Sequence, residues 1–319
     1  MSTVANRVGT QVLPSEVSLA VNFRPRGGAL HSLGHFIRHK PLGALGGFLI
    51  FVFVFTAIFA DRLAPYMYDQ DVGKEKGNIY LQPPSGSFIL GTDNLGRDMF
   101  SRIVWGSRIS VAVGFGAVLV GTGLAMALGI LSGYWGGNFD LLLQRLIDIW
   151  ISIPALILLI FIVTVFTTRN TDSITTVVIV AITLGLLVAA GSSRVVRSAV
   201  LAIRHMPYMD AAHCIGCGHG RILWRYVLPN VFAPILILAT TQLGAAILAE
   251  STLSFLGFGV KPPMPAWGSM LSGNGRTYFE GAPWLAFWPG LAISLAVFGF
   301  NMLGDALRDV LDPRLRGSN

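Results

Sequence analysis

Long uncharged apolar runs, separated by short polar and charged stretches, dominate the chain. Six of them, over 41–60, 109–139, 149–168, 173–193, 226–249 and 281–304, stand clear of any Asp, Glu, Lys or Arg. Each is near or above the roughly 20 residues that cross a hydrocarbon core as a helix. Six membrane-spanning helices are therefore expected, an all-α membrane protein. A β-barrel would read instead as short alternating segments.

The polar stretches divide the chain further. Residues 1–40 form a tail: 1–28 are rich in Ser, Thr, Val, Gly and Pro without helical period, and 29–40 place Leu30, Leu33, Phe36 and Ile37 on one stripe. That stripe predicts a short amphipathic helix on the membrane surface. The first span, 41–60, leads into an outer loop over 61–108 that carries Pro65, Pro83 and Pro84. In its second half, Asp93 or Asn94 is a capping candidate, Met99, Phe100, Ile103 and Val104 share a face, and Asp98 and Arg102 stand at i,i+4. An interfacial helix bending into the second span is expected there. Residues 109–305 form a core of five spans and 306–319 a tail. The second span carries Ala117, Gly121, Ala125, Gly129 and Gly133 at four-residue spacing, an interface for close helix packing. Whether it meets a helix of the same chain or of a partner is open at this stage. Pro154 removes a backbone donor from the third span and predicts a kink.

Composition agrees: 53% hydrophobic, 12% charged, mean hydropathy +0.64. The net charge of +7 raises the possibility of nucleic acid. The basic residues gather at span ends without interleaved aromatics on a polar surface, however, and membrane topology accounts for them. With the N-terminus inside, 14 of the 23 Lys and Arg fall in inner segments. Six of the remainder sit in the long loop 61–108, where the charge rule is weak. No cleavable signal peptide is expected, because some forty mostly polar residues precede the first run and no small-residue cleavage site follows it.

One polar interruption stands out. Between the fourth and fifth spans the chain reads Tyr208-Met-Asp210-Ala211-Ala212-His-Cys-Ile-Gly216-Cys-Gly-His-Gly-Arg221-Ile-Leu-Trp-Arg225-Tyr-Val-Leu228-Pro229-Asn230. It predicts a helix, a glycine turn and a second short helix ended by Pro229, an exposed and rigid knuckle over about 208–222. The order acidic-Ala-Ala, three residues, Gly, then Leu-Pro resembles the loop of permease subunits in bacterial ATP-binding-cassette (ABC) importers that docks into an ATPase. Three more blocks resemble the dipeptide and oligopeptide importer permeases. These are Gly91-Thr92-Asp93-Asn94-Leu95-Gly96-Arg97-Asp98, the stretch from Ala249-Glu250 to Pro265-Ala-Trp267-Gly268, and Asn301 to Leu315. Together they cover about residues 30 to 316. Two departures are visible, Asp210 for the usual Glu and Tyr226 where Ile is usual; Asp keeps the charge.

The resemblance implies a type I ABC importer permease, one half of a heterodimer with a second, related permease in the bacterial inner membrane, both termini cytoplasmic. Two cytoplasmic ATPases, which would bind the ATP and Mg, and an extracytoplasmic solute-binding protein complete such a system. Its coupling helix falls on Tyr208, Asp210, Ala211, Ala212, Gly216 and Arg221. The implied solutes are di- or oligopeptides, with glutathione, nickel complexes or other small solutes as the alternative.

No ATP chemistry is expected of this chain. Its four lysines, Lys40, Lys74, Lys76 and Lys261, lie outside any G-x-x-x-x-G-K-[ST] frame. No carboxylate pair or nucleophile and base set is visible either, so no catalysis, bound cofactor or metal is expected. Cys214 and Cys217, flanked by His213 and His219, have redox or zinc spacing, but a redox pair needs a βαβ setting that an all-helical chain lacks. His31, His35 and His39 recur at helical spacing and are read as interfacial. Glu250, roughly 30 Å along the fifth span from Pro229, is a pathway or structural charge, with the structural role favoured. Asp148 and Asp305 are read as helix-end or packing charges. Two other classes remain for comparison, an ion-coupled transporter, whose inverted repeats are not visible here, and a membrane redox or metal protein using Cys214 and Cys217.

Overall fold

The computed structural model describes residues 40–311 except 76, 78, 169 and 170. The surface helix expected over 29–40, with His31, His35 and His39, lies outside the described residues but for Lys40. Among the described residues the architecture is helical: α1 Pro41–Ile58, α2 Ala60–Leu63, α3 Val72–Glu75, α4 Met99–Trp135, α5 Gly137–Ser152, α6 Ala155–Phe166, α7 Ser173–Arg204, α8 Pro207–Cys214, α9 His219–Ile222, α10 Leu228–Phe255, α11 Trp267–Leu271, α12 Asn274–Thr277 and α13 Trp284–Leu311. Five helical stretches are long and apolar enough to cross a membrane, and α5 with α6, bent by 86° between them, are together apolar enough for a sixth. The break falls at Ile153 and Pro154. The proline there lacks the N–H that would continue the ladder, so the expected kink is a full change of direction.

Helix ends depart from the apolar runs because hydropathy marks the lipid zone, whereas helices stop at caps. α4 begins ten residues before its apolar run and is one uninterrupted helix of 37 residues, about 55 Å long. Its cap is Asp98 rather than Asp93 or Asn94. The Asp98 carboxylate accepts the Ser101 N–H at 2.8 Å, and α4 ends at Gly136, which has φ +65°. The expected Asp98–Arg102 pair is not formed. Asp98 is taken by Ser101, while Arg102 donates to the Tyr68 carbonyl and lies 3.8 Å from Asp93. α7 runs past its apolar stretch to Arg204, and α13 continues beyond 305 to Leu311.

The small-residue stripe of α4 meets α7 of the same chain. A Cβ on Gly121 would lie 2.9 Å from the Gly185 carbonyl, and one on Gly129 would lie 2.6 Å from that of Ser193. Backbones at such separation gain dispersion along their whole length, the main attraction available between helices in lipid. α1 crosses α13 the same way, Gly46 against the Gly299 carbonyl, and Lys40 bonds Asp309 at 2.6 Å where the two helices end. The larger core includes Val113, Leu184, Ile247 and Phe300. Trp267 of α11 closes it. Its ring is 1% exposed, packs edge-on against Phe53 and donates to the Ile103 carbonyl at 3.0 Å.

Candidate functional site

The knuckle between α7 and α10 is built from local rules. Pro207 opens α8 at a position where a missing N–H costs nothing. At the other end, Gly216 N–H reaches the His213 carbonyl and Cys217 N–H reaches that of Ala212, each at 3.0 Å. This pair of bonds is the Schellman stop of a helix, and it places Gly216 at φ +77°, where a side chain would be strained. α9 then passes without interruption through a π-helical turn, Leu223–Val227, into α10. Pro229 therefore does not end the second short helix as expected. It sits in the first turn of α10, where the wider turn before it absorbs the lost hydrogen bond.

Burial fixes this unit to the bundle. Met209 (1% exposed), Ala212, Ile222 and Val227 pack with Ile130 and Tyr134 of α4, Val196 and Val200 of α7 and Val231 of α10. The opposite face is open. Tyr208, Asp210, Ala211, Gly216 and Arg221 are exposed, and so, at 75% each, are Ile215 and Trp224. Of the six residues expected to dock, Ala212 alone points inward, as a packing residue. The arrangement is a hook with one face packed on three long helices and the other exposing apolar and charged groups.

Several residues that tie down the hook or brace the helices beneath it are invisible to motif reading. Tyr134 reaches from the end of α4 to His219, with its hydroxyl 2.7 Å from Nδ1, and stacks near His213. One turn further on, Asp140 of α5 pairs with Arg197 of α7 through Nε at 2.7 Å and Nη2 at 2.5 Å, and with Ser132 of α4. Asp148 bonds Arg194 at 2.5 Å. These polar groups lie far apart in sequence, so only the packing of α4, α5 and α7 brings them together.

Cys214 and Cys217 are free thiols; Cys217 packs against the small core beneath the hook and Cys214 is exposed. Among the described residues no group of three His, Cys, Asp or Glu gathers as metal ligands would. Glu250 is 1% exposed and enclosed by hydroxyls, accepting from Ser254 at 2.7 Å, Ser110 at 3.3 Å and Ser251 at 3.4 Å. Asp305 is exposed.

Comparison with known proteins agrees with this geometry. Residues 125–317 match the family described as binding-protein-dependent transport system inner membrane component. The chain is 38% identical over 280 residues to a dipeptide transport system permease protein of Alkalihalophilus pseudofirmus, covering 88% of each chain. It is 37% identical to a di/tripeptide transport system permease protein of Pseudomonas aeruginosa, covering 86% of this chain and 89% of that one. A glutathione transport system permease protein of Pectobacterium atrosepticum is 36% identical, over 88% of this chain and 89% of its own. With helices enough for a multi-pass membrane protein and a family match over most of its spans, this chain belongs to the inner membrane components of binding-protein-dependent transport systems.

Proposed function

We propose that this chain is one half of the translocation pathway of an ATP-driven importer of di- or oligopeptides, worked from the cytoplasm through the hook at 208–222. The hook faces the cytoplasm and both termini lie on that side, in keeping with the inner excess of Lys and Arg. A second, homologous permease completes the pathway, two cytoplasmic ATPases bind ATP and Mg, and an extracytoplasmic solute-binding protein delivers the solute. The chain itself catalyses nothing and holds no cofactor.

One observation carries this proposal: the exposed hook is continuous with the fifth span. A force on Arg221 acts within α9, crosses the π turn and moves α10 as one lever, because the helix is unbroken from His219 to Phe255. When the ATPases close on ATP, the two hooks move with them and the long helices tilt, exchanging an inward opening for an outward one. The peptide class is favoured over glutathione by the names of the relatives with the higher identity.

The test uses the complete transporter. Gly216→Val strains the Schellman turn without touching any neighbour, since a Cβ there meets nothing within 4 Å. Membrane insertion stays normal, while peptide uptake, or co-purification of the ATPases, falls several-fold. Gly216→Asn, which tolerates the same backbone, keeps most of it. Full uptake with Gly216→Val would count against the docking role.

A further inference from the structure

At the end of the bundle opposite the hook lies a cavity of about 290 Å³ that the coupling mechanism does not use. Its walls come from the loop before α4, the loop between α10 and α11, and the start of α13. Three cations line it, Arg97, Arg102 and Lys261, with one carboxylate, Asp93. The two arginines are 9% and 8% exposed. Asp93 accepts the N–H groups of Leu95 and Arg97 and the Arg97 Nε at 2.7 Å, and it also lies 3.8 Å from Arg102, so one carboxylate is shared by two guanidinium groups. Arg97 makes no other side-chain hydrogen bond among the described residues. Arg102 gives one, from Nη1 to the Tyr68 carbonyl at 3.0 Å, while Asp93 at 3.8 Å and Asp69 act on it through their charge without a hydrogen bond. Lys261 donates to the Thr168 carbonyl and makes no ion pair among the described residues.

The guanidinium nitrogens that lack a protein acceptor keep some exposure, so an incoming ligand with oxygen acceptors can reach and pair with them. The fork of an arginine matches a carboxylate with two parallel bonds. We propose that this cavity binds a carboxylate, the free C-terminus of a peptide solute at the outer mouth of the pathway. The inference rests on the peptide reading above. Arg97 and Arg102 grip the carboxylate, Lys261 supplies long-range attraction, and the hydroxyls of Ser269 and Ser272 line the remaining wall.

The experiment takes the complete transporter in lipid nanodiscs without its solute-binding protein. Calorimetry follows binding of trialanine, of trialanine C-terminal amide and of inorganic phosphate. The free acid is expected to bind about tenfold or more tightly than the amide, the worth of a charged hydrogen-bond pair. Arg102→Gln removes most of that preference, Lys261→Gln weakens it, and both leave the amide unchanged. Lys261, being only partly buried, provides the variant whose folding is not in question. Equal binding of acid and amide, or a preference that survives both variants, overturns the proposal; phosphate binding as tightly as trialanine overturns the peptide assignment. ATP-driven uptake of trialanine, measured on the same preparation with the binding protein restored, reports the parent reading separately. Its absence sinks that reading, whereas uptake without carboxylate preference sinks only this one.

Discussion

At the scale of single residues, charge and backbone geometry do most of the positioning. Asp61 shows how. It lies just past the first span and binds Arg108 of α4 at 2.5 Å, and that hydrogen bond, ahead of the opposing effect of burial, holds its carboxyl below the usual carboxylate range. A pKa lowered in the folded chain gives stability that is present above the ordinary value and lost as pH falls through the lowered one. Asp61→Asn is therefore expected to lower the melting temperature at about pH 7 and to approach the parent as the pH falls through the lowered pKa, where the parent carboxyl protonates too. A difference that does not change with pH would show the pair to be irrelevant. Asp172, at the start of α7, is held low by the Thr175 hydroxyl and N–H that it caps, so a polar residue between two spans serves as a helix start.

At the scale of elements, the α4–α7 pair is the frame on which the rest is hung. Gly129→Ala puts a methyl 2.6 Å from the Ser193 carbonyl, and a rigid backbone atom cannot turn away as a side-chain tip can. A loss of about 1–3 kcal/mol is expected in thermal unfolding of the purified protein. On the same helix Gly123→Ala meets nothing within 4 Å and is expected to be neutral or slightly stabilising. Equal effects from both would mean that the close approach is not what holds the pair. The Asp140–Arg197 pair locks α5 to α7 beside the hook, and Arg197→Met leaves a mostly buried carboxylate without its partner. About 2 kcal/mol is expected, with a double-mutant cycle against Asp140→Asn recovering most of it. Simple additivity would refute the coupling.

At the scale of the whole molecule, the chain carries no G-x-x-x-x-G-K-[ST] frame in its sequence, and the 37-residue helices α4 and His219–Phe255 run from beside the hook to the opposite end of the bundle. Reconstituted alone and supplied with ATP, it is expected to show no solute accumulation; adding the partner permease, the ATPases and the binding protein restores uptake in a radiolabelled peptide assay. Accumulation by the chain alone would end this account.

Much of this protein was legible before any coordinates. Uncharged apolar runs determine spans because lipid offers no partner for a charge or a bare backbone group, and the Asp210–Ala212 to Pro229 pattern marked the hook because its turn depends on local backbone chemistry at Gly216. What lay beyond reach was set by contacts distant in sequence. Asp98 rather than Asp93 caps α4 because Asp93 is engaged by Arg97; Pro229 follows a π turn inside a continuous helix instead of stopping one; the glycine stripe meets α7 of its own chain; and Arg97, Arg102 and Lys261 share one cavity. Local propensity and hydropathy act over a few residues, whereas the pairing of charges and the fit of backbones depend on which surfaces the fold brings within a few ångströms. Those choices belong to the tertiary structure alone.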